Sequence, residues 1–217
     1  MKKDFTFNAN DVTCNGIIAG CSTILTSESH AHLKTFLDTH FMMTDKNALL
    51  QELEDSNLID GRWIVGSRAS DTDQIIDRMV VLIAENPFPL PGVIDTLNYL
   101  SETDIKIGLA TSSPQRLIDA VLKYLNMAHY FDAVHSAEFE RYGKPHPDVY
   151  LKTADSLGVK PNKCLVIEDS LNGVISGKAA MMSVVCIPEK THFPNPKLIV
   201  ADYHFESMSD FLRDFRA

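Results

Sequence analysis

Short apolar runs alternate with amphipathic stretches through the second half of this 217-residue chain. Residues 105–110 and 164–167 are mostly or entirely apolar, as is typical of short strands that are covered on both faces. Weaker strands are predicted at residues 130–135, 183–187 and 198–203, and helices at residues 114–124, 147–157, 172–180 and 208–215. Strands that alternate with helices indicate βαβ units, so the predicted fold class is α/β with a parallel sheet.

The first half of the chain has a different pattern. Residues 29–85 show helical periodicity and hardly any strand signal. The apolar residues at helical spacing near its end are Ile75, Ile76, Met79, Val80 and Ile83. Such spacing is more typical of a packed helix face than of a cofactor site. Three prolines at alternate positions in residues 86–92 cannot continue a helix, so they mark the return to the sheet domain.

The composition limits the kinds of partner and the cellular compartment that we expect for this protein. A formal net charge of -9 and a pI near 5.3 argue against a nucleic-acid partner, since such partners select basic surfaces. No apolar run is long enough for a membrane span or a signal peptide, so we expect a cytoplasmic protein without a membrane partner. The four cysteines are too widely spaced for a zinc site or a disulfide framework, and Cys164 and Cys186 are expected in buried strands.

Two adjacent carboxylates, Glu168 and Asp169, follow the apolar run at residues 164–167. Ligands bind at the carboxyl ends of the strands in open α/β sheets, and hard carboxylate oxygens suit Mg²⁺. The pair is therefore predicted to bind a metal ion. The alternative is a solvated turn in which Asp169 or Ser170 caps the following helix.

Two further segments carry groups that suit a phosphate. Lys144 lies in a stiff, proline-containing loop at residues 143–147, where its ammonium group would meet a phosphate or keep a carboxylate ionised. Thr111 and Ser112 follow a predicted strand, where a hydroxyl group and the free N–H groups of a helix start form an anion site. The alternatives are an exposed loop lysine and a plain helix cap at Ser113.

Four segments, in this order, resemble the haloacid dehalogenase (HAD) superfamily of phosphatases and phosphomutases. They are residues 90–93 (LPGV), 108–114 (GLATSSP), 143–147 (GKPHP) and 167–173 (IEDSLNG). The resemblance is strongest to the subgroup that contains β-phosphoglucomutase and sugar-phosphate phosphatases such as 2-deoxyglucose-6-phosphate phosphatase. It implies a Rossmann-like parallel sheet core formed by residues 1–26 and 89–217, with an α-helical cap inserted at residues 27–88.

The resemblance also implies a mechanism and the roles of individual residues. In this family one aspartate attacks phosphorus, a second aspartate two residues later acts as acid and base, and Mg²⁺ neutralises the phosphoryl group. By their position in the motifs, Thr111 and Ser112 would bind the phosphoryl oxygens and Lys144 would balance their charge. Glu168 and Asp169 would hold the Mg²⁺ ion.

The first motif of the family, Asp-x-Asp-Gly with Asp-Ser-Glu shortly after it, is degenerate in this chain. Counting back from Ser27 and Glu28 places Ala19 at the nucleophile and Cys21 at the acid/base position. Alanine has no attacking group and no metal-binding oxygen in its side chain. The Mg²⁺ site is therefore weakened, and losing a covalent nucleophile costs several orders of magnitude in rate. Whether the chain is an enzyme is thus open.

Two other residues are candidate nucleophiles. Asp11 follows no buried-strand pattern, and its interval to Ser27 is eight residues longer than in the family. Cys21 occupies the acid/base position, and no arginine follows it at the spacing that cysteine phosphatases use. A buried, inert thiol is therefore the favoured interpretation of Cys21.

Three functional hypotheses follow. The favoured one is a pseudo-phosphatase that binds a phosphorylated small molecule, by resemblance a sugar phosphate, between cap and core. The alternative is an active Mg²⁺-dependent sugar-phosphate phosphatase of the phosphoaspartate type with a displaced nucleophile. A protein-interaction scaffold without a ligand is the third. Trp63 and Arg68 are candidate ligand contacts in the cap, although packing of the tryptophan and surface exposure of the arginine are the more ordinary interpretations.

Overall fold

The computed structural model describes residues 14–20, 69–85, 87–188 and 195–217. The chain divides into two compact units, one formed by Met1–Leu25 with Phe88–Ala217 and the other by Thr26–Pro87. The described part of the second unit is mainly one helix of 17 residues, α1 (Ala69–Glu85). The remainder of the predicted helical region, residues 29–68, lies outside the described residues.

Helix α1 confirms the predicted helix at the end of the first half. Ile83 is buried on it, and Ile76, Met79 and Val80 are half-buried. The side chain of Ile75 lies outside the described residues. None of the described helices is long and apolar enough to cross a membrane.

The first unit contains a six-stranded parallel sheet with the strand order β3-β2-β1-β4-β5-β6. The strands are β1 (Gly16–Ala19), β2 (Lys106–Thr111), β3 (Ala133–Ser136), β4 (Cys164–Glu168), β5 (Ser183–Cys186) and β6 (Tyr203–His204). The accompanying helices are α2 (Val93–Ser101), α3 (Gln115–Tyr124), α4 (Asp148–Leu157), α5 (Leu171–Ala179) and α6 (Met208–Phe215). This arrangement confirms the predicted α/β fold with a Rossmann-like parallel sheet.

Strands β1 and β4 lie at the centre of the sheet and are covered on both faces. Ile18 and Val166 are paired in register and belong to the apolar core that α4 and α5 complete. Because side chains alternate along a strand, Ile17 and Leu165 point to the opposite face, where they are also buried. Burial on both faces explains why β4 is apolar at consecutive positions.

Cys164 and Cys186 lie in β4 and β5 and are buried, as expected from the sequence. Burial raises the pKa of each thiol to about 11. Both cysteines are therefore protonated at neutral pH and act as small apolar core residues.

Some predicted boundaries are wrong by a few residues. Helix α3 begins at Gln115 because Pro114 has an extended backbone (φ -58°, ψ 148°) and only precedes the helix. The strand predicted at residues 130–135 begins at Ala133, since Ala128–Tyr130 forms a short 3-10 helix. Tyr130 therefore belongs to the 3-10 helix and not to the strand.

The strand predicted at residues 198–203 is wrong over most of its length. Pro196–Val200 forms a 3-10 helix, which Asn195 caps by accepting a hydrogen bond from the N–H group of Lys197 at 3.0 Å. An Asn-Pro pair is a strong helix start, and it outweighs the strand propensity of the β-branched residues that follow. Strand β6 is accordingly reduced to Tyr203–His204.

Helix α2 was not expected as a separate element. It begins after Gly92, whose φ of 83° lies in the left-handed region that glycine adopts without strain. A Cβ atom at Gly92 would also lie 2.5 Å from the amide nitrogen of Ser209 at the start of α6. The glycine therefore allows α2 and α6 to approach each other closely.

Candidate functional site

The residues expected at the site lie at the carboxyl ends of three adjacent parallel strands. Strand β1 ends at Ala19, which pairs with Leu109 of β2 and Ile167 of β4. Thr111 ends β2 two residues after Leu109, and Glu168 ends β4 one residue after Ile167. Because the strands are parallel and in this register, the three strand ends meet at one edge of the sheet, where open α/β sheets bind ligands.

Glu168 is almost completely buried at this edge, with 2% of its surface exposed. Its Oε1 atom accepts hydrogen bonds from Nζ of Lys144 and from the hydroxyl group of Tyr150, each at 2.6 Å. Its Oε2 atom accepts from the hydroxyl group of Ser170 at 3.0 Å and from the amides of Asp169 and Ser170 at 3.3 Å. A carboxylate has about four acceptor positions. The acceptor positions of Glu168 are therefore filled by the protein itself.

The ammonium group of Lys144 is also fully hydrogen-bonded to the protein. Its side chain is 7% exposed, and Nζ donates to Oε1 of Glu168, to the hydroxyl group of Tyr150 at 3.0 Å and to the carbonyl group of Ala110 at 3.1 Å. An ammonium group has three donors, so all the donors of Lys144 are used. Lys144, Tyr150 and Glu168 are called the buried charge cluster below.

The buried charge cluster controls the ionisation of its two acids. Burial opposes the ionisation of Glu168, but the positive charge of Lys144 and the hydrogen bonds from Lys144, Tyr150 and Ser170 outweigh it and hold the pKa of Glu168 below its ordinary value. Burial and the negative charge of Glu168 raise the pKa of Tyr150 well above 10. At neutral pH the cluster thus consists of an ion pair and a neutral hydroxyl group.

Two glycines leave the space that the carboxylate of Glu168 occupies. A Cβ atom at Gly20 would lie 2.6 Å from Oε1 of Glu168, and a Cβ atom at Gly173 would collide with the carboxylate. Ser170 caps α5 by accepting a hydrogen bond from the N–H group of Gly173 at 3.0 Å. The first residues of α5 therefore pack directly against this carboxylate.

The groups expected to bind a phosphate are partly occupied by the protein as well. Thr111 is buried, and its hydroxyl oxygen accepts a hydrogen bond from the N–H group of Ser113 at 3.0 Å. The N–H group of Gln115, at the start of α3, donates to a carboxylate oxygen of Glu138 at 2.9 Å. Ser112 is exposed. The side chain of Glu138 thus takes a donor that a phosphate would use at this helix start.

A Mg²⁺ ion usually keeps several waters and is held by one or two carboxylates together with substrate phosphates. Two of the three positions expected at such a site do not fit the ion, since the acceptor positions of Glu168 are filled and the side chain of Ala19 has no oxygen; the third is Asp169. No group of three or more His, Cys, Asp or Glu side chains within the described residues is arranged to hold a metal ion. The assignment of Glu168 and half-buried Asp169 to a metal stays a prediction.

A groove of about 390 Å³ lies elsewhere, at the amino end of β2. Lys106 and Asp132 in its lining form an ion pair at 3.1 Å, and the hydroxyl group of Tyr130 donates to Asn98 at 2.6 Å. These polar groups are bonded to one another, and the groove is lined by none of the residues expected at the site.

Comparison with known proteins identifies the family. The model of the haloacid dehalogenase-like hydrolases matches residues 22–180, which is well over half of the chain. The chain belongs to this family. The matched region begins after Ala19 and Cys21, so it does not include the two degenerate positions of the first motif.

Similar HAD-like proteins include known phosphatases. Hexitol phosphatase B of Escherichia coli (strain K12) is 36% identical over 148 residues, which are 68% of this chain and 67% of that protein. A fructose-1-phosphate phosphatase of the same strain is 34% identical over 108 residues, 50% of this chain and 55% of the relative. A solved structure of a putative β-phosphoglucomutase from Thermotoga maritima has a TM-score of 0.72 at 21% identity and covers 93% of this chain and 98% of its own. That structure supports the fold.

The structure brings several of the predicted site residues together. Lys144 and Glu168 are in direct contact, and Lys144 also bonds the carbonyl group of Ala110, next to Thr111. Ala19 and Thr111 lie at the same edge of the sheet as this pair. Ser112 and Asp169 are also described, whereas six other residues singled out as candidates in the sequence lie outside the described residues. They are Asp11, Cys21, Ser27, Glu28, Trp63 and Arg68.

Tyr150 is the site residue that the sequence did not indicate. It is fully buried on α4, and its hydroxyl group bridges Lys144 and Glu168. Its position on the apolar face of a predicted amphipathic helix is that of an ordinary core aromatic residue. The one available signal is its spacing of six residues from Lys144, which places Lys144 in the loop before α4 and Tyr150 in the first turn of that helix.

A double-mutant cycle on Lys144 and Glu168 would measure the contribution of the ion pair. Lys144→Met leaves a buried carboxylate without its counter-ion and should lower the free energy of unfolding by about 3–5 kcal/mol. Adding Glu168→Gln should recover a large part of that loss, because no unpaired charge then remains buried. Urea denaturation of the four proteins at neutral pH provides the values.

Lys106→Met is the matched control for this cycle. Lys106 and Asp132 also form an ion pair, but their side chains are 53% and 40% exposed. Removing an exposed partner should cost less than about 1 kcal/mol. Equal losses for Lys144→Met and Lys106→Met would contradict the assignment of a buried ion pair.

The stabilising effect of Glu168 should depend on pH. Because folding lowers the pKa of Glu168, its ionised form stabilises the protein fully above the unfolded value of about 4.3, and this contribution is lost as the pH falls through the lower folded value. The stability difference between wild type and Glu168→Gln should therefore be constant from neutral pH to about pH 5 and shrink at more acidic pH. Urea denaturation over this range tests it. A difference that grows on acidification would show the opposite shift.

Gly173→Ala should destabilise the protein, although alanine normally favours a helix over glycine by about 1 kcal/mol. The added methyl group would collide with the carboxylate of Glu168, and overpacking of this kind costs about 1–3 kcal/mol. Gly143→Ala is the control, since its Cβ atom would have no neighbour within 4 Å. Thermal unfolding compares the two, and an unchanged midpoint for Gly173→Ala would contradict the close packing around Glu168.

Proposed function

We propose that this chain is a pseudo-phosphatase, a HAD-like protein that binds a phosphorylated small molecule without hydrolysing it. The observation that carries the proposal is Ala19 at the carboxyl end of the central strand β1. A phosphoaspartate mechanism needs an attacking oxygen at this position of the first motif. The methyl group of Ala19 supplies none.

The state of Lys144 supports the same proposal. Catalysis of phosphoryl transfer depends on positioning and on positive charge that stabilises the oxygens of the transferring group. The charge of Lys144 is already neutralised by Glu168, and its donors point into the protein. Lys144 is therefore engaged with groups of the protein, and the side chain of Ala19 offers no nucleophile.

Thr111 and Ser112 are the groups that we assign to the phosphate. The hydroxyl group of Thr111 accepts the Ser113 N–H, and it donates to no acceptor within the described part of the chain, so its hydrogen is available to a phosphoryl oxygen. Exposed Ser112 follows it directly. The names of the relatives, a hexitol phosphatase and a fructose-1-phosphate phosphatase, support a sugar or hexitol phosphate as the ligand.

Phosphate release from hexitol and sugar phosphates and from a generic aryl phosphate, measured with Mg²⁺, tests the absence of turnover. We expect wild type and Asp169→Ala to release phosphate at the same background rate. Asp169→Ala is the control for contaminating phosphatases, because it removes a carboxylate from the predicted site without altering the purification. Turnover by wild type that this substitution abolishes would instead favour an active phosphatase with a displaced nucleophile.

Calorimetric titration with a hexitol phosphate and with fructose 1-phosphate tests binding. Thr111→Val removes one hydrogen bond to a charged group, worth about 1.5 kcal/mol, and should weaken binding about tenfold. Thr153→Val is the matched control, since that buried hydroxyl donates to the carbonyl group of Val149 within α4. No heat of binding, and no rise in the melting temperature with any of the phosphates, would favour a scaffold without a ligand.

A further inference from the structure

The hydrogen-bond donors of Lys144 and the acceptor positions of Glu168 are all occupied by groups of the protein. The three donors of Lys144 go to Glu168, Tyr150 and Ala110, and Glu168 accepts from Lys144, Tyr150, Ser170 and two backbone amides. No buried side-chain nitrogen or oxygen within the described residues lacks a hydrogen-bond partner. The pair is therefore a closed unit that needs no further ion to satisfy it.

A divalent cation could reach Glu168 only by displacing some of these partners. Binding at Oε1 would expel the ammonium group of Lys144 and the hydroxyl group of Tyr150, and binding at Oε2 would expel Ser170 and two amides. The displaced ammonium group would then stay buried beside a second positive charge. Leaving a buried charge without its partner is strongly unfavourable.

The packing also prevents the carboxylate from turning towards a separate metal site. The backbone of Gly173 lies against the carboxylate of Glu168 on one side, and Gly20 approaches Oε1 closely on another. Ser170 fixes Oε2 while it caps α5. A different orientation of the carboxylate would thus require the start of α5 to move.

We propose that the ammonium group of Lys144 is the permanent counter-ion of Glu168, so that Glu168, like the side chain of Ala19, supplies no ligand to a divalent metal and this edge of the sheet holds no Mg²⁺ ion of its own. The proposal follows from the contacts of the buried charge cluster. It does not depend on which ligand the protein binds, so it stands or falls separately from the pseudo-phosphatase proposal.

Titration of the wild-type chain with Mn²⁺ tests the proposal without any ligand. Mn²⁺ takes the same carboxylate and water ligands as Mg²⁺, and its bound form is detected by electron paramagnetic resonance and by water-proton relaxation. We expect no saturable Mn²⁺ site that responds to Asp169→Asn. One saturable site that Asp169→Asn abolishes and that Mg²⁺ competes for would overturn the proposal.

Lys144→Met provides the converse test. Removing the ammonium group should expose Glu168 to cations, so Mg²⁺ should raise the melting temperature of this variant by several degrees and leave that of wild type unchanged. The double variant Lys144→Met with Glu168→Gln is the matched control and should lose the response. A folded Lys144→Met protein that ignores Mg²⁺ would contradict the counter-ion role. If the variant does not fold in either condition, the Mn²⁺ titration of wild type still decides.

Discussion

The ion pair between Lys144 and Glu168 is buried at the centre of the carboxyl edge of the sheet, where water stabilises neither charge. Each group would be costly to bury alone, so each requires the other and the remaining polar partners around it. Three elements supply those partners: Ala110 lies on β2, Tyr150 on α4, and Ser170 at the start of α5. The arrangement of this edge is therefore set by the need to neutralise two charges.

The same constraint explains the small residues near the pair. Gly20 and Gly173 leave space that the carboxylate of Glu168 fills, and Ser170 is short enough both to cap α5 and to bond Oε2. In a chain with a carboxylate at position 19, an additional negative charge would lie at the end of β1. With alanine there, Glu168 is the acid that Lys144 contacts within the described residues. An alanine at position 19 and the hydrogen-bonded ion pair are thus compatible with each other.

Most of the sheet was predictable because strands covered on both faces have an unambiguous apolar pattern. Strand β4 and helix α6 were predicted almost to the residue, whereas residues 198–203 were not, since a local cap at Asn195 overrides strand propensity. The motifs indicated Thr111, Lys144 and Glu168. They left open whether Lys144 would meet a phosphate or a carboxylate, and they did not indicate Tyr150, because such contacts depend on the packing of elements distant in sequence.

That distance in sequence has a kinetic meaning. Three of the hydrogen bonds of the buried charge cluster join residues separated by 34 positions (Lys144 to Ala110), 24 positions (Lys144 to Glu168) and 18 positions (Tyr150 to Glu168). Such contacts require β2, α4 and β4 to have docked, so we expect them to form late in folding. Interactions absent from the folding transition state act mainly on the unfolding rate. The cluster is therefore expected to slow unfolding more than it speeds folding.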